Sequence, residues 1–356
     1  MSKYFNGKQK YFYWLKKHPN LHYMIHCLRR FGDKDYYRFI FNEGYPGLIR
    51  IENNGGLYPQ KDIFLLNIEG DKIGLPCYIR YALHALYELG NLNFSVVIKF
   101  NDRSMWLQES VKVNGTDNIY EYFFEQPTEV KLAEIGKCYH VYSSNCVSLL
   151  TRASMDLGIY KDNGLLAAYE VSEDYISLMG DLYKRNIRFN SYTEKYLEEQ
   201  LNRIFSNRNH AEKIVGLHLR GTDFGRNYKD HPKAVGIDQY TNMIDKAIKK
   251  HGFTKVFIAT DDINMLKMVQ DRYGEIITFY KDTFRSSGSK NILSIESDGA
   301  SPKYKKGLEV LRDIYTLSKC DGLIAGLSHV SILARIMKKS SDKEYEFQRI
   351  ISNGIN

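Results

Sequence analysis

From residue 213 onward, short apolar runs alternate with longer amphipathic stretches, and few folds accommodate that rhythm. Lys213 to Leu219, Lys255 to Thr260, Glu275 to Tyr280 and Gly322 to Ala325 read as strands. Tyr240 to His251, Ile263 to Tyr273, Gly307 to Lys319 and the residues from Ser328 onward carry helical spacing, the second stopping at Gly274. Strand and helix in repeated succession predict an α/β domain whose parallel sheet is covered on both faces.

The first half opens in the same way. Residues 62–67 form an apolar strand pattern. Tyr78 to Leu89 is helical through Ile79, Ala82, Leu83, Leu86 and Leu89, with Gly90 as C-cap, and Phe94 to Phe100 is a second strand. From Val171 to about Arg208 the pattern is helical and dense in charge, suited to a connector. A chain of 356 residues predicts two domains more readily than one. The expected division is a basic, aromatic extension over 1–58, an α/β domain with its helical connector over 59–208, and a second α/β domain over 209–356. The run from Asn118 to Pro127 is crowded with Tyr and Phe, and reads either as a surface on which sugars stack or as core.

Composition narrows the class. An apolar fraction of 43% suffices for sizeable cores. No window approaches the roughly 20 apolar residues of a membrane span. The amino-terminal residues lack the apolar centre of a signal peptide, so the expected location is cytoplasmic. Five cysteines (Cys27, Cys77, Cys138, Cys146 and Cys320) never fall in C-x-x-C spacing, which argues for buried thiols over a disulfide framework or zinc knuckle. The net charge of +8 attracts anions of many kinds without choosing among them. Near the amino end, Lys8, Lys10, Lys16, Lys17, Arg29 and Arg30 interleave with Tyr11 to Leu15 and Tyr23 to Ile25. That mixture suits either peripheral contact with an anionic membrane or an extension packed on the rest of the chain. No nucleic-acid partner is expected, because no motif of the usual readers is present.

The candidate site lies at strand ends. In Ile214-Val-Gly-Leu-His218-Leu-Arg220-Gly-Thr-Asp223 an apolar strand ends in an imidazole, a guanidinium and a carboxylate, with His218 and Arg220 on one face. An arginine fork beside a histidine donor suits a diphosphate. Asp261 and Asp262 follow the next strand, and either caps the following helix or meets a ligand. Ser328 and His329 follow the last strand, where Ser328 is a helix cap, an anion contact, or both. Asp313 shares a helix face with Val310 and Leu317, and a carboxylate on an apolar stripe calls for a partner. There is no G-x-x-x-x-G-K-[ST] loop, no well-placed G-x-G-x-x-G, and no Asp-x-Asp at a strand end to hold a metal under a diphosphate. Positive side chains, Arg220 first, must therefore neutralise the leaving group.

His218-Leu-Arg220-Gly-Thr-Asp223, His231-Pro232, Val256-Phe-Ile-Ala-Thr-Asp261-Asp262 and Glu309-Val-Leu-Arg-Asp313-Ile-Tyr-Thr-Leu-Ser-Lys-Cys-Asp321 together resemble the blocks of the α-1,6-fucosyltransferase and protein O-fucosyltransferase superfamily. The run ending Tyr-Phe-Phe-Glu-Gln-Pro127 is similar to bacterial members that act in surface-glycan synthesis. The resemblance implies a GT-B-like fold with two Rossmann-like domains facing a cleft, residues 59–208 on the acceptor side and 209–356 binding the donor. It implies GDP-fucose as donor, inversion at the anomeric carbon, a glycan or lipid-linked acceptor, and neither cofactor nor metal. His218 and Arg220 would bind the diphosphate, Asp313 the guanosine, Ser328 with its neighbour His329 a phosphate oxygen, and Asp261 or Asp262 the nucleoside. Relatives place a Glu between the first block and the His-Pro pair. Here that interval reads Phe224-Gly-Arg-Asn-Tyr-Lys-Asp230, which leaves Asp230 as first candidate for general base and Asp223 as second, with Asp223 equally suited to orienting Arg220. Arg285, Lys303 or Lys305 would serve as the cation of a loop over the ligand. Two other readings fit the same residues: a transferase using another nucleotide sugar, and a non-catalytic glycan or nucleotide binder.

Overall fold

The computed structural model of the chain describes residues 21, 24, 25, 28, 49–52, 55–68, 73–89, 94–100, 104–108, 111–145, 169–206, 208–209, 211–221, 231–286 and 302–355. Two compact units emerge. One comprises Met1–Glu69, His84–Lys99 and Gln126–Asp156, and the other Gly70–Leu83, Phe100–Glu125 and Leu157–Asn356.

Up to residue 145 the chain runs β1 (Ile49–Glu52), β2 (Leu57–Ile68), α1 (Leu75–Leu89), β3 (Ser95–Phe100), α2 (Ile119–Phe123), β4 (Phe124–Glu125) and β5 (Cys138–Asn145). The β-α-β opening read from the sequence is present, with β2 longer than expected. The first unit holds a sheet of order β1-β5-β2-β3, in which β5 runs antiparallel to β1 and parallel to β2. Ile63, Val97, Val130, Cys138 and Val141 form its core.

In the second unit the aromatic run is core and not a sugar-binding surface: Tyr120, Tyr122, Phe123 and Phe124 are all buried. Asn118 caps α2 by accepting from Tyr120 N, Tyr120 stacks on Phe124 at 5.2 Å, and Phe123 stacks on Tyr304 at 5.4 Å. The helical stretch after Val171 divides into α3 (Glu173–Asn186), the short β6 (Arg188–Phe189) and α4 (Ser191–Phe205). The break arises because β6 pairs with β4, and because Asn190 caps α4 through Thr193 N while donating to the carbonyls of Glu121 and Tyr122.

There follow β7 (Ile214–Leu219), α5 (Ile237–His251), β8 (Lys255–Thr260), α6 (Ile263–Tyr273), β9 (Ile277–Thr278), α7 (Pro302–Lys319), β10 (Gly322–Gly326), α8 (His329–Ser340) and β11 (Phe347–Ile351). The sheet has order β11-β10-β7-β8-β9, with every pairing parallel. All six residues of β7 are buried, as expected of a central strand with helices on both faces. The strand expected over Glu275 to Tyr280 shrinks to β9, since Gly274–Ile276 forms a 3-10 turn that begins at a positive φ of 57°. Each element after β7 first steps toward β9, then the chain jumps across β7 to β10. The topological switch point therefore lies between β7 and β10, outside whose carboxyl ends open α/β sheets bind ligands. Among the described residues no helix is long and apolar enough to cross a membrane.

Candidate functional site

The ends of β7 and β10 bring the first and last strand-end residues together. Ala325 pairs with His218 across the sheet, and Ser328 Oγ lies 3.3 Å from His218 Nδ1, both side chains buried. Ser328 also caps α8, its Oγ accepting from Ser331 N at 3.0 Å. Ser331 Oγ donates in turn to the carbonyls of Gly326 and Ser328, at 3.0 and 2.9 Å. The two readings of Ser328 are thus compatible: the cap exists, and the same hydroxyl faces the histidine at a helix amino end.

Arg220 follows β7 directly and is partly exposed. Its backbone is held by Tyr240 of α5, whose buried phenolic oxygen accepts from the N–H groups of Arg220 and Gly326. Burial pushes that phenol up to about 12, against the lowering effect of those donors and the guanidinium. A Cβ on Gly326 would lie 2.8 Å from Tyr240 Oη, so a side chain there would displace the hydroxyl. Tyr240 thereby ties the two strand ends to each other.

The carboxylate pair after β8 divides its labour. Asp262 is the N-cap of α6, its Oδ1 accepting from Asn264 N at 2.8 Å and Met265 N at 3.1 Å. It packs against the backbone beside Arg220 so closely that a Cβ on Gly221 would fall 2.5 Å from Asp262 Oδ2. Asp261 accepts from Ser286 N through its carbonyl at 2.9 Å, which docks the segment ending at Ser286 beside β8.

Asp313 lies on α7 in a charged cluster. It keeps some surface accessible, yet its carboxyl is packed deeply enough that burial pushes its pKa to about 7 against the pull of Arg312 and Arg285. Arg312 is 1% exposed and stacks 4.0 Å over the Tyr280 ring. It donates to Asp282 Oδ1 at 2.9 Å, Thr283 Oγ1 at 2.5 Å and Gln200 Oε1 at 3.4 Å. Glu309 accepts from Phe284 N at 3.2 Å, and burial raises its pKa as well. Arg285 donates to the carbonyls of Tyr280 and Thr283 and lies 5.2 Å over Phe279. The partner that Asp313 called for is therefore supplied in part by the protein, through two guanidinium groups.

Sequence reasoning missed Arg80. This residue is 2% exposed on α1, and its Nε and Nη2 donate to Tyr175 Oη at 3.1 and 3.0 Å. Its Nη1 lies 2.7 Å from His329 Nδ1. The Tyr169 ring stands 4.9 Å from the His329 ring and 6.5 Å from that of His231. A signal was present, since Arg80 interrupts an apolar helix just as Asp313 does. Tyr169 and Tyr175 carried none.

Asp223 and Asp230 lie outside the described residues. Of the candidate loop cations, Arg285 is engaged as above, while Lys303 and Lys305 sit in the first turns of α7, with Lys305 exposed. Among the described residues no three His, Cys, Asp or Glu side chains gather as a metal-ligand set. Cys77, Cys138 and Cys320 are buried free thiols. The assembled elements are a helix amino end, two imidazoles and a guanidinium at a switch point, an arrangement able to hold an anion.

No protein-family model and no curated protein matches the chain. Solved structures similar to it include the fucosyltransferase NodZ from Bradyrhizobium, at 14% identity and a TM-score of 0.43, covering 78% of this chain and 93% of that one. NodZ α-1,6-fucosyltransferase co-crystallized with GDP is 16% identical, with a TM-score of 0.43 over 78% of this chain and 92% of that one. POFUT1 in complex with GDP is 10% identical, with a TM-score of 0.43 over 82% and 99%.

Proposed function

We propose that the chain is a metal-independent glycosyltransferase that moves fucose from GDP-fucose to a glycan hydroxyl with inversion. The observation that carries this reading is the meeting of His218 and Ser328 at 3.3 Å, at the carboxyl ends of the two strands flanking the switch point. Arg220 and the amino end of α8, with Ser328 and His329, would take the diphosphate. Asp313 or Asp261 would take the guanosine, while Asp262 is occupied as a cap. The acceptor oxygen attacks the anomeric carbon on the face opposite the diphosphate. The carbon–oxygen bond to the diphosphate breaks, and the hydroxyl proton passes to a carboxylate, Asp230 first and Asp223 second. Arg220 stabilises the charge that develops on the departing group. We place the acceptor in bacterial surface polysaccharide synthesis, in the cytoplasm, with the basic aromatic amino end resting on the membrane surface near a lipid-linked acceptor.

The test is thermal stabilisation of the purified protein by GDP, UDP, CMP and ADP, each with and without a metal chelator. A nucleotide at 100 times its dissociation constant adds about 2.7 kcal/mol. Stabilisation by GDP alone, insensitive to chelator and lost in Arg220→Ala, is the expected result. Stabilisation by a different nucleotide would keep the transferase and overturn the donor, and no response to any of the four would leave a non-catalytic binder as the better account.

A further inference from the structure

We infer that Arg80 is a positioning residue that locks His329, the first residue of α8, in the Nε2–H tautomer. The argument starts from what a guanidinium can do. It has donors only, so across the 2.7 Å contact Arg80 Nη1 must donate and His329 Nδ1 must accept. An accepting Nδ1 carries no proton, which places the ring proton on Nε2 and leaves the imidazole neutral, since an imidazolium has no acceptor to offer. The contact is short, as charge-assisted bonds are.

Arg80 cannot swing away to release this choice. Its other nitrogens hold Tyr175 Oη at 3.1 and 3.0 Å, the guanidinium lies 5.5 Å over the Tyr175 ring, and the residue is buried on α1. The Tyr169 ring, 4.9 Å from that of His329, restrains the imidazole from another side. Two tyrosine rings and one guanidinium therefore fix a tautomer that would otherwise interconvert freely.

The consequence falls on the amino end of α8. Backbone N–H groups and the helix dipole already favour an anion there, and a guanidinium held at that end adds to the positive potential. An Nε2–H edge is a further donor and cannot act as an acceptor, which selects a ligand rich in acceptor oxygens, such as a diphosphate, over one that presents donors. This part rests on the nucleotide-sugar reading above; the tautomer itself does not.

Long-range proton–nitrogen correlation of ring-labelled histidines in the intact chain tests it, with His329→Gln assigning the signals. The expected wild-type spectrum shows His329 Nδ1 bare and Nε2 protonated. In Arg80→Met a second tautomer or imidazolium should appear and GDP affinity should fall about tenfold, the loss of one charge-assisted bond. Arg80→Lys, which keeps a donor, should restore part of both. A protonated Nδ1 in the wild type would overturn the inference without need of any variant. So would unchanged His329 signals in Arg80→Met, whereas altered signals with GDP affinity intact would uphold the tautomer lock and overturn its part in holding the ligand. If the wild type shows the expected tautomer yet binds no nucleotide, the glycosyltransferase reading fails while the tautomer assignment stands.

Discussion

Two clusters in the second unit carry the polar chemistry, and they are held in opposite ways. At the ends of β7 and β10 the framework is backbone: strand register sets His218 against Ala325, a helix cap sets Ser328, and Tyr240 grips the N–H groups of Arg220 and Gly326. On α7 the framework is charge. Arg312 and Arg285 compensate Asp313, and with Glu309 they brace the segment from Tyr280 to Ser286. A site built from backbone can lose a side chain's chemistry without losing its shape, whereas a site built from compensating charges loses both together. The strand-end cluster should therefore separate function from stability, and the α7 cluster should couple them.

Arg220→Lys is the sharpest way to break that contrast. The variant retains the charge but not the planar fork, so turnover should drop by roughly 10² to 10³, equivalent to about 3 to 4 kcal/mol of transition-state stabilisation. Its melting temperature should stay near that of the wild type, because Tyr240 holds the backbone of residue 220 and not its side chain. Wild-type turnover would remove Arg220 from the leaving-group role, and a large loss of stability would erase the contrast. Arg312→Met is the opposite case. It leaves Glu309 and Asp313 packed without the cation that acts on both most strongly, and breaking such a buried arrangement costs about 3 kcal/mol. Thermal unfolding should register that loss together with weaker GDP binding; a loss in only one would sink the coupling.

Gly221→Ala strikes where the backbone framework is tightest. The new methyl would sit 2.5 Å from Asp262 Oδ2, forcing that carboxylate off the amides of Asn264 and Met265. A lost cap costs about 1 to 2 kcal/mol, and Arg220 next door should shift as well. Pairing it with Asp262→Gly, which removes the carboxylate cap together with the Cβ that would lie 2.6 Å from the new methyl, distinguishes the two effects. Nearly equal stability of the single and double variants is expected, with donor affinity partly recovered in the double.

How much of this was legible in the sequence follows from how local the determinants are. The strands and helices from β7 to α8 announce themselves, because a fully buried parallel strand is a continuous apolar run. Strand ends are also where side chains turn polar within a few residues, which is why His218, Arg220 and Ser328 stand out before any coordinates. β11 was missed because Phe347–Ile351 includes Gln348 and Arg349, as an edge strand paired on one side tolerates. Asp262 was balanced between cap and ligand contact, and only its two amide distances decide for the cap. The aromatic run could not be assigned to surface or core, since ring-rich stretches serve both and only the stack of Tyr120 on Phe124 shows which. Arg80 showed itself as a charge on an apolar helix, but its role did not, because its partner His329 is 249 residues away and no periodicity links them.

Asp313 sharpens the comparison through pH. Its folded pKa, about 7, lies above that of an unfolded aspartate, so the folded state holds a proton that the unfolded state releases across the intervening range. Stability should accordingly decline as pH rises through that window, and Asp313→Asn should flatten the decline. Recognition of base N–H groups requires the carboxylate, so GDP affinity should move the other way, weakening by about tenfold per pH unit below 7. In Asp313→Asn the affinity should be weak and flat. A wild-type affinity that does not change between pH 6 and 8 would take Asp313 out of the nucleotide site.

The smallest effect belongs to Tyr240→Phe. The ring stays in its buried place on α5, so packing survives and only the phenolic oxygen is lost. The N–H groups of Arg220 and Gly326 then lack their common acceptor, at a cost of about 1 kcal/mol. What this does to Arg220 decides how rigid the backbone framework is. If the hydroxyl sets where the backbone of Arg220 sits, turnover should fall about fivefold with little change in the donor's KM, because the guanidinium would still reach the ground-state diphosphate but meet the departing charge less well. A matching rise in KM with kcat unchanged would instead make Tyr240 a determinant of binding alone. Normal kinetics with a lowered melting temperature would show that β7 and β10 hold their ends without it, and the positioning would then rest on the Ser328 cap and the strand register.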